Sequence, residues 1–192
     1  MKKYNRKNKI LFITSSRSDY GIMRNLILNL EKLSSFKNKL LVIGDHLIKS
    51  RGFTINEIIK DKVNIADKIK ISKSFYDSKS NSIDSLQLKI RSSIKKLNPD
   101  IVILLGDRKE ILLSALSCFF LNLKIVHISG GEKTIGSKDD IHRHLISKLS
   151  DYHFVSDKAY KKRLIQLGED KNNIFIIGSL STEKIRKIAY KT

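Results

Sequence analysis

The sequence predicts an α/β fold, a Rossmann-like and mostly parallel sheet with helices on both faces. Short apolar runs alternate with longer amphipathic segments along the chain, the pattern of βα units. One run, Ile101–Leu105, is continuously apolar, as expected of a central strand covered on both faces. The polar clusters Ser15–Tyr20, Gly106–Glu110 and Ser129–Arg143 each follow a predicted strand, where open α/β sheets bind ligands. No internal repeat or linker interrupts the series, so residues 1–192 are expected to form one domain.

In chain order, Lys9–Thr14 is the first strand, and the polar turn SSRSDYG leads into a helix over Gly21–Leu33, with Ile22, Leu26, Leu30 and Leu33 on one face. Leu40–Ile43 is a second strand ending in GDH. A short helix over Thr54–Lys60 follows, with Thr54 and Glu57 spaced as a capping box. Lys68–Ile71 is a short strand, and Ser72–Ser85, rich in Ser, Asp and Asn, a loop. A helix over Ile83–Leu97 stops before Pro99, the one proline. After strand Ile101–Leu105 come helix Lys109–Asn122, strand Lys124–Ile128, loop Ser129–Lys138 and helix Asp139–Leu149. Strand Tyr152–Val155, helix Asp157–Leu167 with Gly168 at its C-cap, strand Ile174–Ile177 and helix Thr182–Tyr190 complete the series.

Composition narrows the function. A chain of 192 residues buries roughly 70% of its unfolded surface, so neither disulfide nor metal is needed to hold it together. Cys118 is the single cysteine, which excludes an internal disulfide and favours a reducing cytoplasm. The apolar run Ile10–Ile13 behind the basic start is shorter than the ~7–15 residues of a secretory core. Ile111–Leu123 is broken by Ser114, Ser117 and Asn122 and is too short to span a bilayer. With 38 basic against 19 acidic residues the net charge is +19, which raises a nucleic-acid surface as one reading. Against it, lysines are spread from Lys2 to Lys191 and outnumber arginines, and no strand carries aromatics for base stacking. A solvated lysine-rich surface that attracts anionic small molecules is expected instead, with neither nucleic acid nor membrane as partner.

The three strand-end clusters bring Arg17, Asp107, Glu132 and the Asp139/Asp140 pair to one rim despite their separation in sequence. Each has a plainer role open to it. Asp107 can cap the following helix, Gly130 and Gly131 can permit a sharp turn, and Asp139 and Asp140 can simply complement a helix dipole. His127, His142, His144 and His153 show no metal-ligand spacing, so no metal is expected. The first turn lacks GxGxxG, the chain lacks a P-loop, and no cofactor is expected. Cys118 lies within an apolar helix and reads as core.

The segments LGDRKE, HISGGEKTIGSKDDIHRHLISKLSDYHF, YKKRLIQLGED and FIIGS resemble the hydrolysing UDP-N-acetylglucosamine 2-epimerases of sialic acid and nonulosonate synthesis. ITSSRSDYG is similar to that family's opening TGTRAEYG, and GDHL with FTINEI to its second-strand segment. The resemblance covers nearly the whole chain. It implies one half of a glycosyltransferase-B arrangement, with a UDP-sugar substrate and no nicotinamide or metal. The implied reaction converts UDP-N-acetylglucosamine, or its diacetylbacillosamine analogue, and water into the 2-epimeric free sugar and UDP, by elimination to a glycal and hydration. By motif match, Asp107, Glu132 and one of Asp139 and Asp140 are its acid/base candidates. Arg17, His46, Arg108, Gly130, Gly131 and Arg143 are candidates for substrate contact, Arg143 also for orienting a carboxylate one helical turn from Asp139.

The sequence departs from the family at three places. Asp139–Asp140 stands where Asp–Glu is usual, and Ser15 and Asp19 stand where Gly and Glu are favoured. After GSLSTEKIRKIAYKT the family continues into a second domain that supplies most of the uridine and diphosphate site and a further histidine. The expectation is therefore a chain inactive alone, complete with a separate C-terminal half or as a homo-oligomer. The alternative is an inactive sugar-nucleotide-binding or partner-binding module.

Overall fold

The computed structural model describes residues 7–72, 75, 80–134 and 136–182. Seven strands form one sheet: β1 (Asn8–Thr14), β2 (Phe36–Ile43), β3 (Ile65–Ile69), β4 (Ile101–Leu105), β5 (Lys124–Ile128), β6 (Tyr152–Val155) and β7 (Ile174–Ile176). Their order is β3-β2-β1-β4-β5-β6-β7, and every pairing is parallel. The helices are α1 (Arg17–Glu31), α2 (Ile55–Lys60), α3 (Ser80–Leu97), α4 (Lys109–Phe120), α5 (Asp139–Lys148) and α6 (Lys158–Gln166). The chain works outward from β1 in one direction and then from β4 in the other, so a switch point lies between these two strands.

The strand residues alternate between two cores. Leu11, Ile13, Leu41, Ile43, Val102, Leu104 and Ile125 pack on one face with Ile90 and Ile94 of α3 and Ile111 and Ala115 of α4. Ile10, Phe12, Leu40, Val42, Ile103, Leu105 and Val126 pack on the other with Tyr20, Met23 and Ile27 of α1 and Ile55 and Ile58 of α2. Burial on both faces is why these strands read as unbroken apolar runs. Cys118 is fully buried in the first core, and burial pushes its thiol up to about 12.

The expected bounds of β4, β5 and β6 match those observed, and others shift for identifiable reasons. α1 starts at Arg17, not Gly21, because the Ser16 hydroxyl accepts the Asp19 N–H at 3.3 Å and turns the polar stretch into the first helical turn. β2 starts at Phe36, its charged outer residues paired along β1 from Asn8. β3 is Ile65–Ile69 rather than Lys68–Ile71, and α3 extends back to Ser80 into the expected loop. The capping box at Thr54 does not form: Thr54 is helical (φ −69°) and makes no cap bond, its hydroxyl lying 2.9 Å from His46 Nδ1. Gly168 follows α6 with φ +86°, as expected. The helix expected over Thr182–Tyr190 lies, beyond Thr182, outside the described residues. Among those described, no helix is long and apolar enough to cross a membrane.

Candidate active site

The segments that follow β4 and β5 carry the expected acidic residues, and Arg143 is the side chain that joins Asp107 to Glu132. It rises from the second turn of α5 and is 8% exposed. One terminal nitrogen donates to the Ser129 carbonyl at 2.9 Å and lies 3.7 Å from Glu132 Oε2. The other donates to the Asp107 carboxylate and to Thr134 Oγ1, the latter at 3.2 Å. A planar guanidinium suits this task because its donors fan out at fixed angles. Asp107 is thus tied across 36 residues of sequence. It is not the helix cap: Arg108 occupies that position before α4, with no side-chain cap bond. Arg143 orients Asp107 and Glu132, not Asp139 one turn away.

The Asp139/Asp140 pair divides. Asp140 turns back on the preceding loop, where it accepts the Thr134 N–H at 2.8 Å, and that bond holds its carboxyl below the usual range. Through Thr134 it joins the Arg143 network. Asp139 is 55% exposed, with His142 at 3.5 Å. Neither caps the helix; Ser137 accepts the Asp139 N–H at 3.1 Å.

Packing is tight at Gly130 and demands glycine at Gly131. A Cβ on Gly130 would lie 3.0 Å from both His127 Nδ1 and Ser147 Oγ. Gly131 has φ +72°, and its Cβ would lie 2.6 Å from the Tyr160 carbonyl of α6. The two glycines let the loop that carries Glu132 pass close to His127 and Ser147 at Gly130 and to α6 at Gly131. Glu132 itself accepts from Ser156 Oγ at 3.4 Å.

On the other side of the switch point, Arg108 donates to Asp45 at 2.9 Å and lies 3.7 Å from Glu110. Asp45 also takes both bonds of Arg51, at 2.9 and 3.0 Å. Arg17, 72% exposed, pairs with Glu57 at 2.9 Å on the lip of a crevice that Asp45 and Arg51 also line. Sequence reasoning missed Asp45, Asp19 and Glu110 as a group. Asp19 and Glu110 are buried beside Arg108, and burial raises both carboxyls. The available signal was position, since each lies within five residues of the end of β1, β2 or β4.

His46 departs from expectation. It is fully buried, its Nε2 lies 3.0 Å from Thr14 Oγ1 and its Nδ1 2.9 Å from Thr54 Oγ1, so neither nitrogen is left for a sugar. Burial lowers it to about 4, and lowers His127, whose Nε2 contacts the Gly106 carbonyl at 2.8 Å, to about 3. Both rings stay neutral when folded and charge near pH 6.5 when unfolded. Below pH 6.5 the unfolded state therefore binds more protons and stability falls with pH. At pH 5 each ring is expected to cost about 1–2 kcal/mol relative to pH 7. Urea denaturation at the two pH values checks this: His46→Asn and His127→Asn should each show a smaller loss on acidification than the parent chain. Among the described residues no group of three or more His, Cys, Asp or Glu is placed to hold a metal ion.

Comparisons with known proteins bear on the fold and the family. Residues 28–192 match the profile of the family described as UDP-N-acetylglucosamine 2-epimerase. The chain is 38% identical over 186 residues to the UDP-N,N'-diacetylbacillosamine 2-epimerase (hydrolyzing) of Legionella pneumophila, covering 96% of this chain and 48% of that protein. A crystal structure of UDP-GlcNAc 2-epimerase from Neisseria meningitidis bound to UDP-GlcNAc superposes with a TM-score of 0.78 at 19% identity, covering 95% of this chain and 51% of that one. A lipopolysaccharide outer core galactosyltransferase, WaaB, superposes at 0.59 and 18% identity, over 88% of this chain and 45% of that one. The fold is a Rossmann-like half of the glycosyltransferase-B arrangement, and the chain spans about half the length of the curated relatives it matches.

Proposed function

The chain belongs to the UDP-N-acetylglucosamine 2-epimerase family, and we propose that it supplies one face of the active site of a hydrolysing 2-epimerase acting on a UDP-N-acetyl sugar. The observation that carries this reading is Arg143 holding Asp107 and Glu132 side by side at the rim. In the proposed reaction a carboxylate removes the C2 proton as the C1–O bond to UDP breaks, leaving a 1,2-unsaturated sugar. Water then adds its hydroxyl to C1, while an acid on the opposite face returns a proton to C2 with inverted configuration. Asp107, Glu132 and Asp140 are the acid/base groups; Asp139 is the outer member of the set. The hydrogen bond that keeps Asp140 ionised suits a base or an electrostatic partner. Arg17 and Arg108 meet the diphosphate as its charge grows.

The opposite face of the cleft is proposed to come from a second Rossmann-like half, supplied in the same polypeptide, by a separate chain or by another copy. The setting is the cytoplasm, where nucleotide sugars are made. The test is incubation with UDP-N-acetylglucosamine and with its diacetylbacillosamine counterpart, with and without a supplied C-terminal half, followed by product NMR. UDP and a 2-epimeric free sugar should form only when the second half is present. No UDP release from either substrate under any condition would reduce the reading to common ancestry.

A further inference from the structure

The crevice at the β1–β2 end of the sheet holds an anion of the chain's own. It measures about 520 Å³ and is lined by Ser16, Arg17 and Ser18 at the N-terminus of α1 and by Asp45, Arg51 and Thr54. A helix N-terminus and two guanidinium groups favour negative charge there. The Asp45 carboxylate supplies it. Arg51 Nη1 donates to both of its oxygens, at 2.9 and 3.0 Å, and Arg108 Nη2 donates to one of them at 2.9 Å.

The backbone fixes where that carboxylate stands. Asp45 lies in the 3₁₀ turn Gly44–Leu47 that follows β2, and its N–H donates to the Ser15 carbonyl at 3.1 Å. Its side chain is 15% exposed, within reach of a solute in the crevice. Two guanidinium groups brought to one point repel unless an anion lies between them. A carboxylate meets that need with a single charge, and a diphosphate meets it with more charge and more acceptor oxygens. Glu110, buried and 3.7 Å from Arg108, stays behind as a counter-charge when Asp45 gives way.

We propose that Asp45 is a resident stand-in for the substrate's diphosphate: it holds Arg51 and Arg108 together until a diphosphate arrives, and then yields both to it. This rests on the UDP-sugar reading above and deepens it, adding Arg51 to the groups that meet the diphosphate. Each bond that Asp45 gives up is subtracted from the ligand's affinity. The subtraction applies to substrate and to product UDP alike, so it raises KM and lets UDP leave faster. Asp45 is thus a positioning residue that keeps the two arginines ready without letting the product hold them.

The test uses the full chain with the C-terminal half supplied, and measures by calorimetry the binding of UDP and of uridine, which lacks the diphosphate. Asp45→Asn keeps the shape and removes the charge. It should bind UDP about tenfold tighter and bind uridine as the parent does. In turnover of UDP-N-acetylglucosamine its KM and kcat should fall together, because UDP leaves more slowly. Damage to the fold would instead weaken both ligands. Arg51→Gln should weaken UDP about tenfold and leave uridine unchanged, and it carries the test by itself if Asp45→Asn does not fold. Three results overturn the proposal and leave the UDP-sugar reading standing: UDP binding unchanged or weaker in folded Asp45→Asn, an equal gain for uridine, or unchanged UDP binding in Arg51→Gln. If the parent binds no UDP, that reading falls as well.

Discussion

Arg143→Met in the assembled enzyme is expected to lower turnover of the UDP-sugar about a thousandfold, the combined loss of two positioned carboxylates. The buried guanidinium, on α5, joins Asp107 after β4 to Ser129, Glu132 and Thr134 on the loop after β5. Without it, Asp107 and Glu132 lose the cation they share and the Ser129 carbonyl loses its donor. The stability cost should be only about 1–3 kcal/mol, below the full penalty for breaking a buried pair, because Asp107 remains 21% exposed and water can reach it. Arg143→Lys keeps the charge without the fork and should still lose about a hundredfold. Product NMR against time, with urea denaturation of the same samples, checks both. A folded Met variant within tenfold of the parent's turnover would remove Arg143 as organiser of the site.

Gly131→Ala is expected to destabilise the chain by about 3 kcal/mol, the sum of a left-handed backbone without glycine and a methyl forced onto the α6 backbone. The obstacle is the Tyr160 carbonyl, 2.6 Å from the added Cβ, and a backbone atom cannot rotate aside as a side chain would. For a chain of this size that corresponds to a fall in Tm of about 6–12 °C. Gly136→Ala is the matched comparison: its φ is +82°, but nothing lies within 4 Å of the new methyl. It should cost about 1–2 kcal/mol, the conformational part alone. Equal melting temperatures for the two variants would show that close approach to α6 is not what demands Gly131.

The parts of the fold legible in the sequence are those where one chemical signal dominates. β4 and β5 were bounded correctly because apolar runs covered on both faces admit little else. Edges were less legible. The charged residues of FKNK belong to β2 because β1 offers them a pairing partner, a matter of register that local composition does not express. The start of α1 depended on one serine hydroxyl turning toward one N–H. The same limit applied at the site. Strand-end position was enough to gather Asp107, Glu132 and Asp140 at one rim, but His46 meets the same positional test and is walled in by Thr14 and Thr54.

Alternating apolar and amphipathic segments thus determined by themselves that this chain winds a parallel sheet and collects its polar strand ends at one edge. Period and burial are local properties, carried by each segment alone. Tertiary structure alone decided that Arg143 answers to Asp107 rather than to Asp139, that Gly131 yields space to α6, and that His46 is closed off between Thr14 and Thr54. Those outcomes depend on which side chains from distant segments come within a few ångströms, and a hydrogen bond or a steric overlap exists only at that range.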